Sequence, residues 1–463
     1  MPGNSQWRYA PADLPVVMQS GDGYTHIMTQ SFEVLVVGGG PAGIAAAVSA
    51  AEHNARVGLI DDNPRMGGQI WRSWRGNDGP DTSHDSSAAR WCNRLSATPI
   101  VPLMGWSVFD RPSQNTIRAE CGFEAVDFQF ERLILATGAR ERFLPFPGWT
   151  LPNVVGAGAL QAMVKGGLPI RGKRVVVAGS GPLLLAVAAS LKAAGASVLC
   201  ICEQASISQL LPFVLGLLAF PGKVAEGVRY RAATQDIQYH TSAWPVLATG
   251  DRQLANVTLS IGGSLKTVTC DYLACGFHLI PNIELPALLG CQLDNGTVTV
   301  DELQQTSEAG IFCAGEPTGI GGLELSLIEG EIAGLVAAQQ IGKARMLFPE
   351  RNGLLRFASR LAKAFALRQE LKGLPDNNTI LCRCEDVAFG TVREHRSWRS
   401  AKLHTRCGMG ACQGRICGAA TEFLLGWPMD SVRPPIFPTL ISSLTSAQAD
   451  RTPNMNRLSK EDK

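Results

Sequence analysis

The run Val34-Leu-Val-Val-Gly-Gly-Gly-Pro-Ala-Gly43 constrains the fold of this chain more than any other stretch. Apolar residues suited to a buried strand enter a glycine turn, and the apolar run from Ile44 to Ala51 continues as a helix. Gly38, Gly40 and Gly43 stand at the first, third and sixth positions of G-x-G-x-x-G, with Pro41 and Ala42 between the last two. The first glycine permits the tight turn, the second lets a pyrophosphate approach the backbone, and the third lets helix pack close to strand. The helix N-terminus then faces the phosphates. Val57-Gly-Leu-Ile60 supplies the next strand and Asp61 a carboxylate at its end, with Asp62 as the neighbour able to substitute. A ribose diol is therefore expected there, and a 2′-phosphate is not.

The 463 residues suffice for two or three domains with sizeable cores, and 45% hydrophobic content fits a globular protein. A net charge of +2 gives no electrostatic case for nucleic acid or an anionic membrane. No stretch reads as a transmembrane helix. Residues 1–27 lack a basic start followed by an apolar core, so they do not read as a secretory signal. The cytoplasm is the expected location, and 1–30 is read as a disordered tail or a start placed too far upstream.

Gly67-Gly68-Gln69 opens a polar Gly/Asp/Ser excursion that runs to about Ser87. The strand-like run from Glu131 to Ala136 enters Thr137-Gly138, a small-residue turn where backbone can lie against a ligand. Pro145 to Pro152 then breaks regular structure between two units. The opening pattern recurs as strand Arg174 to Ala178, turn Gly179-Ser-Gly181 and helix Leu183 to Leu191, with Glu203 ending the next strand. Leu184 replaces the third glycine. This second unit is thus compatible with NAD, with an adenine nucleotide bound structurally, or with an empty relic. The apolar stretch Leu210 to Phe220 needs cover from its own domain or from another chain. Ile311 to Gly315 reads as a buried strand reaching an acid, Glu316, before Gly319 to Gly322 and a helix from Leu323 to Ala338.

Eight of the thirteen cysteines are scattered through 92–313 and read as small core residues, while five crowd into 382–417. Thiolates that close together favour a soft metal or an iron-sulfur cluster over disulfides. Cys382 and Cys384 form a C-x-C pair, and Cys412 and Cys417 precede a helix whose N-terminus is positively polarised. Those four are the preferred ligands with Cys407 as the spare; the alternative set uses Cys407 and Cys412. Zinc is the competing occupant.

These motifs, with Ala136 to Arg142, Pro145 to Pro152, Pro281-Asn-Ile-Glu-Leu285 and Cys407-Gly-Met-Gly-Ala-Cys-Gln-Gly-Arg415, resemble the large FAD subunit of multi-subunit amine dehydrogenases. That group includes opine oxidases, D-hydroxyproline dehydrogenases, dye-linked proline dehydrogenases and hydrogen cyanide synthase. The resemblance implies an α/β fold of two doubly wound dinucleotide-binding domains of the thioredoxin-reductase type. FAD would be held by 31–150 with 276–345, and the second unit, 151–275, would be inserted. A helical linker (346–375), a [2Fe-2S] domain of the bacterioferritin-associated ferredoxin type (376–430) and a tail (431–463) would follow. It also implies that Asp61, Asp62, Gly68, Gln69, Ala136, Thr137, Gly138, Gly315, Glu316 and Gly322 join the glycine turn around FAD. Glu316 would meet the ribityl hydroxyls, although the family's usual residue there is Asp.

The partners implied are a catalytic flavoprotein resembling the amino-acid oxidases and, in some members, a small ferredoxin-like chain. No redox Cys-x-x-Cys accompanies the flavin motifs: Cys200 and Cys202 share a strand, and Cys270 and Cys275 are held too far apart by theirs. Disulfide reduction is therefore not expected, and no residue stands out as a general base. The rival readings are a stand-alone NAD(P)H-dependent flavoprotein reductase, which needs Gly179, Gly181 and Glu203 to bind nicotinamide, and a zinc-bearing scaffold.

Overall fold

A computed structural model describes residues 28–71, 86–429 and 432–445. The upstream segment 1–27 and most of the excursion after Trp71 lie outside the described residues. The chain begins with β1 (Met28–Val37), α1 (Pro41–Ala51) and β2 (Val57–Asp61), followed by α2 (Ser86–Ser96) and β3 (Val101–Met104). A meander of β4 (Ser107–Ser113), β5 (Thr116–Cys121) and the long β6 (Glu124–Leu135) completes this part. β1 pairs in parallel with β2 and β6, so the first sheet has the order β3-β2-β1-β6-β5-β4.

The short β7 (Ala139–Glu141) leads out to a second sheet. Its elements are β8 (Val154–Gly156), α3 (Ala157–Lys165), β9 (Arg174–Ser180), α4 (Leu183–Ala193) and β10 (Ser197–Glu203). Next come α5 (Ile207–Gly216), α6 (Pro221–Ala233), β11 (Gln238–His240), an antiparallel layer β12 (Ala243–Thr249), β13 (Asn256–Ile261) and β14 (Ser264–Thr269), and β15 (Tyr272–Phe277). The parallel order is β11-β10-β9-β15-β8. One face packs on α3 and α4 through Leu160, Val175, Val177, Leu184 and Val187. The other packs on the antiparallel layer through Val176, Ala178, Cys200, Cys202, Val257 and Leu259.

The return strand β16 (Leu279–Pro281) pairs antiparallel with β7, Ile280 opposite Arg140, so two short strands carry the chain across and back. After α7 (Glu284–Leu288) and the hairpin β17 (Leu293–Asp294) and β18 (Thr297–Val298), β19 (Ile311–Cys313) adds to β6 of the first sheet. α8 (Leu323–Ala337) then lies on α1. Gly330 and Gly334 make that approach possible, since a Cβ at either would sit 2.1 or 2.2 Å from the Ala42 or Ala46 carbonyl. The α/β doubly wound class is thus the observed one.

α9 (Ile341–Met346) and α10 (Phe348–Ala364) lead to the cysteine segment, with β20 (Ile380–Cys382), β21 (Val387–Ala388), α11 (Phe389–Arg393), α12 (Trp398–Thr405) and α13 (Cys417–Leu425). The last described stretch includes α14 (Ile441–Thr445) and returns to the first sheet. Ile436 is buried in that sheet's core and donates its N–H to the Phe109 carbonyl.

α5 begins with a capping box, in which the Ser206 hydroxyl and Gln209 amide each satisfy the other's backbone N–H. Phe213 and Leu210 turn inward onto Phe365 and Ala364. Ile207, Leu211, Val214, Leu215 and Leu218 remain exposed, so the apolar stretch is covered on one side only.

Candidate functional site

The first glycine turn is sterically closed on its protein side and open on the other. A Cβ at Gly38 (φ +113°) would lie 2.1 Å from the Ala136 carbonyl oxygen, and one at Gly43 only 1.7 Å from the Gly38 carbonyl oxygen. At Gly40, by contrast, the nearest atom is the Gly68 Cα at 4.0 Å. α1 starts at Pro41 with no side-chain cap, so its first N–H groups are left for an anion. The Asp61 carboxylate accepts from the Gly39 N–H on one oxygen and from the Asn63 N–H (2.7 Å) on the other. Asp62 is exposed and accepts from the Asn63 side-chain amide. Gln69 is exposed at the edge of this region.

Gly315 ends the return strand with φ +80°, its Cβ position 2.8 Å from the Ala42 Cβ, so the return strand abuts the first turn. The Gly315 N–H and the Thr318 hydroxyl both donate to Glu329 Oε2 on α8, at 2.9 Å each. Burial pushes the Glu329 carboxyl up to about 7. The neighbouring Glu316 is also shifted up, by burial alone. A part-buried acid next to the return turn and to Gly322 at the start of α8 suits a polyhydroxyl ligand chain that donates to it.

In the second unit a Cβ at Gly179 (φ +142°) would lie 1.8 Å from the Gly276 carbonyl oxygen, while Gly181 is open. Glu203 has no exposed surface, and its two oxygens accept from the Gly181 and Ala205 N–H groups at 2.8 Å each. Desolvation raises it to about 7. Leu184, in the third-glycine position in the first turn of α4, is buried in the core between that helix and the sheet.

The cysteine segment brings Cys382, Cys407 and Cys417 together, their sulfurs all within 4.8 Å of one another and all three residues buried. Thiols of Cys407 and Cys417 hydrogen-bond to Cys382 and push it down to about 2. The hydrogen bond with Cys382 in turn drives Cys407 up to about 12 and Cys417 further up. Three buried sulfurs this close suit a soft cation, which binds them as thiolates. Cys384 and Cys412 hydrogen-bond to each other beside this group, Cys384 being exposed. Gly408 (φ +81°) and Gly410 press against Trp398 and Cys384, which draws the loop tight around the five thiols. None of the thirteen cysteines forms a disulfide.

The two regions are tied together by one polar ladder. Asn282 donates its N–H to the Gly138 carbonyl and its amide to the Thr137 carbonyl (2.8 Å), and accepts from the Thr137 hydroxyl at its own carbonyl (2.7 Å). Arg140 donates to the Asn282 side chain (2.7 Å) and faces Glu284 at 3.0 Å. Glu284 Oε1 lies 3.7 Å from Arg415 Nε, and Arg415 donates to the Cys412 carbonyl at 3.2 Å. Glu141, on the same crossing strand, accepts from the Gly158 and Ala159 N–H groups at the start of α3 and ties that helix to the crossing.

A family model for pyridine nucleotide-disulphide oxidoreductases matches residues 32–342. The chain belongs to this family. It is a FAD-dependent oxidoreductase, and the open turn at Gly40, the uncapped α1 and the part-buried Glu316 fit that cofactor. It is 31% identical over 429 residues to the HcnB component of hydrogen cyanide synthase from Pseudomonas protegens, covering 84% of this chain and 90% of that protein. It is 28% identical over 434 residues to an opine oxidase subunit from Rhizobium meliloti, covering 86% and 82%. The crystal structure of L-proline dehydrogenase from P. horikoshii shares the fold, with a TM-score of 0.64 at 18% identity over 91% of this chain and 80% of that one. Among the described residues no helix is long and apolar enough to cross a membrane.

Within this oxidoreductase, the structure gathers Gly38, Gly40, Ala42, Gly43, Asp61, Gly68, Ala136 and Gly315 around one turn, with Pro41, Thr137 and Gly138 adjoining. Asp62 and Gln69 stand at its exposed edge. Arg140, Asn282, Glu284, Arg415 and Glu329 received no role from sequence reasoning. Four of them lie inside the stretches that carry the family resemblance, so the signal was present as motif and lacked a chemical task.

Proposed function

We propose that this chain is the FAD- and iron-sulfur-bearing electron-transfer subunit of a heteromeric dehydrogenase or oxidase. The enzyme would act on the C–N bond of an amino acid or secondary amine of the opine, hydroxyproline, proline or glycine type. FAD in the first unit supplies reversible two- and one-electron chemistry, and a [2Fe-2S] cluster on four of the five thiols is the one-electron partner. The observation that carries this reading is the ladder from Thr137-Gly138 through Asn282, Arg140 and Glu284 to Arg415 and Cys412. It supports a fixed separation between the flavin turn and the thiol loop, as a relay requires.

The preferred ligands remain Cys382, Cys384, Cys412 and Cys417, with Cys407 close enough to Cys382 and Cys417 to substitute. The relatives are each named as one subunit of an enzyme, which favours an amino-acid-oxidase-like flavoprotein partner, with a small ferredoxin-like chain in some assemblies. The test is flavin and metal analysis with visible and EPR spectra on anaerobically purified protein, alone and with the product of an adjacent amino-acid-oxidase-like gene. Two irons and one FAD per chain, reduced by an amine only when the partner is present, is the expected result. Stoichiometric zinc, or reduction by amine without a partner, overturns it. A stand-alone NAD(P)H reductase is the second reading, favoured by the open Gly181; prompt flavin bleaching by NADH would select it.

A further inference from the structure

In the second sheet, β9 lies between β10 and β15, so the strand order reverses there, and the carboxyl ends of those strands are where doubly wound sheets bind dinucleotides. The residues at those ends are Ser180, Gln204 and His278, and all three turn their side chains to one acceptor, the carbonyl of Phe365. Ser180 Oγ lies at 3.0 Å, Gln204 Nε2 at 3.3 Å and His278 Nε2 at 2.5 Å. Gln204 also donates to the Ala366 carbonyl at 3.3 Å and accepts the Arg368 N–H at 3.1 Å. Arg368 continues outward to the Ser242 hydroxyl at 3.0 Å.

The strap is anchored by apolar contacts. The Phe365 side chain is 5% exposed, packed with Ala205, Ala364, Leu361 and Leu210, and its ring meets Phe213 edge to face at 5.5 Å. Beneath it, Glu203 is sealed with both oxygens committed to backbone N–H groups. Asp61 makes the same pair of backbone contacts in the first unit, so the strap over Ser180, Gln204 and His278, and not Glu203, is what distinguishes the second crevice.

We propose that Phe365–Arg368 is a specificity element that fills the crevice of the second unit and excludes nicotinamide dinucleotides, so the chain takes no hydride from NADH or NADPH despite its family's name. The inference stands on the second sheet alone. Saturable NADH binding without bleaching would overturn this inference alone, whereas prompt bleaching would overturn the relay reading with it. Gly181 itself is open, so the strap closes the crevice beyond the phosphate-binding turn and leaves the turn clear.

The experiment uses the FAD-loaded chain in anaerobic titrations with NADH, reading binding by fluorescence quenching and flavin reduction by bleaching, with amide exchange at 365–368 as the report of strap release. The wild type is expected to show neither saturable quenching nor bleaching. The pair Gln204→Ala and His278→Ala removes two of the three donors without touching the Phe365 anchor. It should speed exchange at 365–368 and strengthen NADH binding by at least ~10-fold, because apparent affinity scales with the open fraction. Arg368→Ala, at the part-exposed end of the strap, gives the same sign of change if the double variant fails to fold. Saturable NADH binding or bleaching in the wild type overturns the proposal. So do variants with released straps that gain no binding, and variants whose strap exchange does not change.

Discussion

Arg140 donates through Nε to the backbone carbonyl of Arg415 at 3.2 Å, across 275 residues of sequence. The strand that leaves the flavin unit therefore holds the thiol loop directly, and both guanidiniums share the single half-buried carboxylate of Glu284. Burial lowers the Arg415 pKa, and the Glu284 carboxylate opposes that shift.

Replacing Glu284 with Gln leaves two enclosed guanidiniums without a counter-charge. Breaking such a pair costs about 3–5 kcal/mol when fully buried, and this one lies near the lower end because it is partly solvated. A lowered melting temperature with retained FAD, and slower equilibration between flavin and metal centre after photoreduction, are expected. Unchanged equilibration would remove the ladder from the relay.

Gly43→Ala forces a Cβ into the Gly38 carbonyl, so either strand and helix separate or the turn deforms. Overpacking of this kind costs about 1–3 kcal/mol, and here it falls on the phosphate-binding turn. The purified variant should contain little FAD while keeping its iron. A flavin content equal to the wild type would contradict the placement of the cofactor.

Iron content separates the two candidate ligand sets. Cys382→Ser and Cys412→Ser should lose iron, whereas Cys407→Ser should keep two irons per chain with a perturbed EPR signal, its sulfur being near Cys382 and Cys417. Loss of iron from Cys407→Ser would put that residue in the set in place of Cys417.

The pH dependence of stability reports Glu329. Its folded pKa is raised by burial from 4.5 to about 7, so between those values the folded chain keeps a proton that the unfolded chain has lost. Stability therefore falls as pH rises through that window, by on the order of 3 kcal/mol for this one group. Glu329→Gln, which cannot ionise, should gain stability relative to wild type between pH 5 and pH 8 in denaturant titrations. A pH-independent difference would show that the carboxyl is already ionised throughout.

The legible parts of this protein were those whose physics is local. The glycines at 38, 40 and 43 are required by a turn six residues long, and the alternation of apolar strand, turn and helix announced two doubly wound units. The spacing of five cysteines within 382–417 announced a thiol centre. Which sulfurs meet was not legible. Cys382 and Cys407 come together because Gly408 and Gly410 fold the loop back against Trp398 and Cys384, and spacing alone does not encode that fold-back.

The sequence by itself determined the α/β class, the flavin turn and the existence of a cysteine centre, since each rests on steric or chemical demands met within a few residues. Only the tertiary structure decided that Phe365 lies over Ser180, 185 residues away, and that Glu284 stands between Arg140 and Arg415. A serine, a phenylalanine carbonyl and two arginines carry no local pattern that names their partners. Their pairing follows from how two sheets, a linker helix and a thiol loop pack, where buried donors and charges must find whatever acceptors the packing brings within reach.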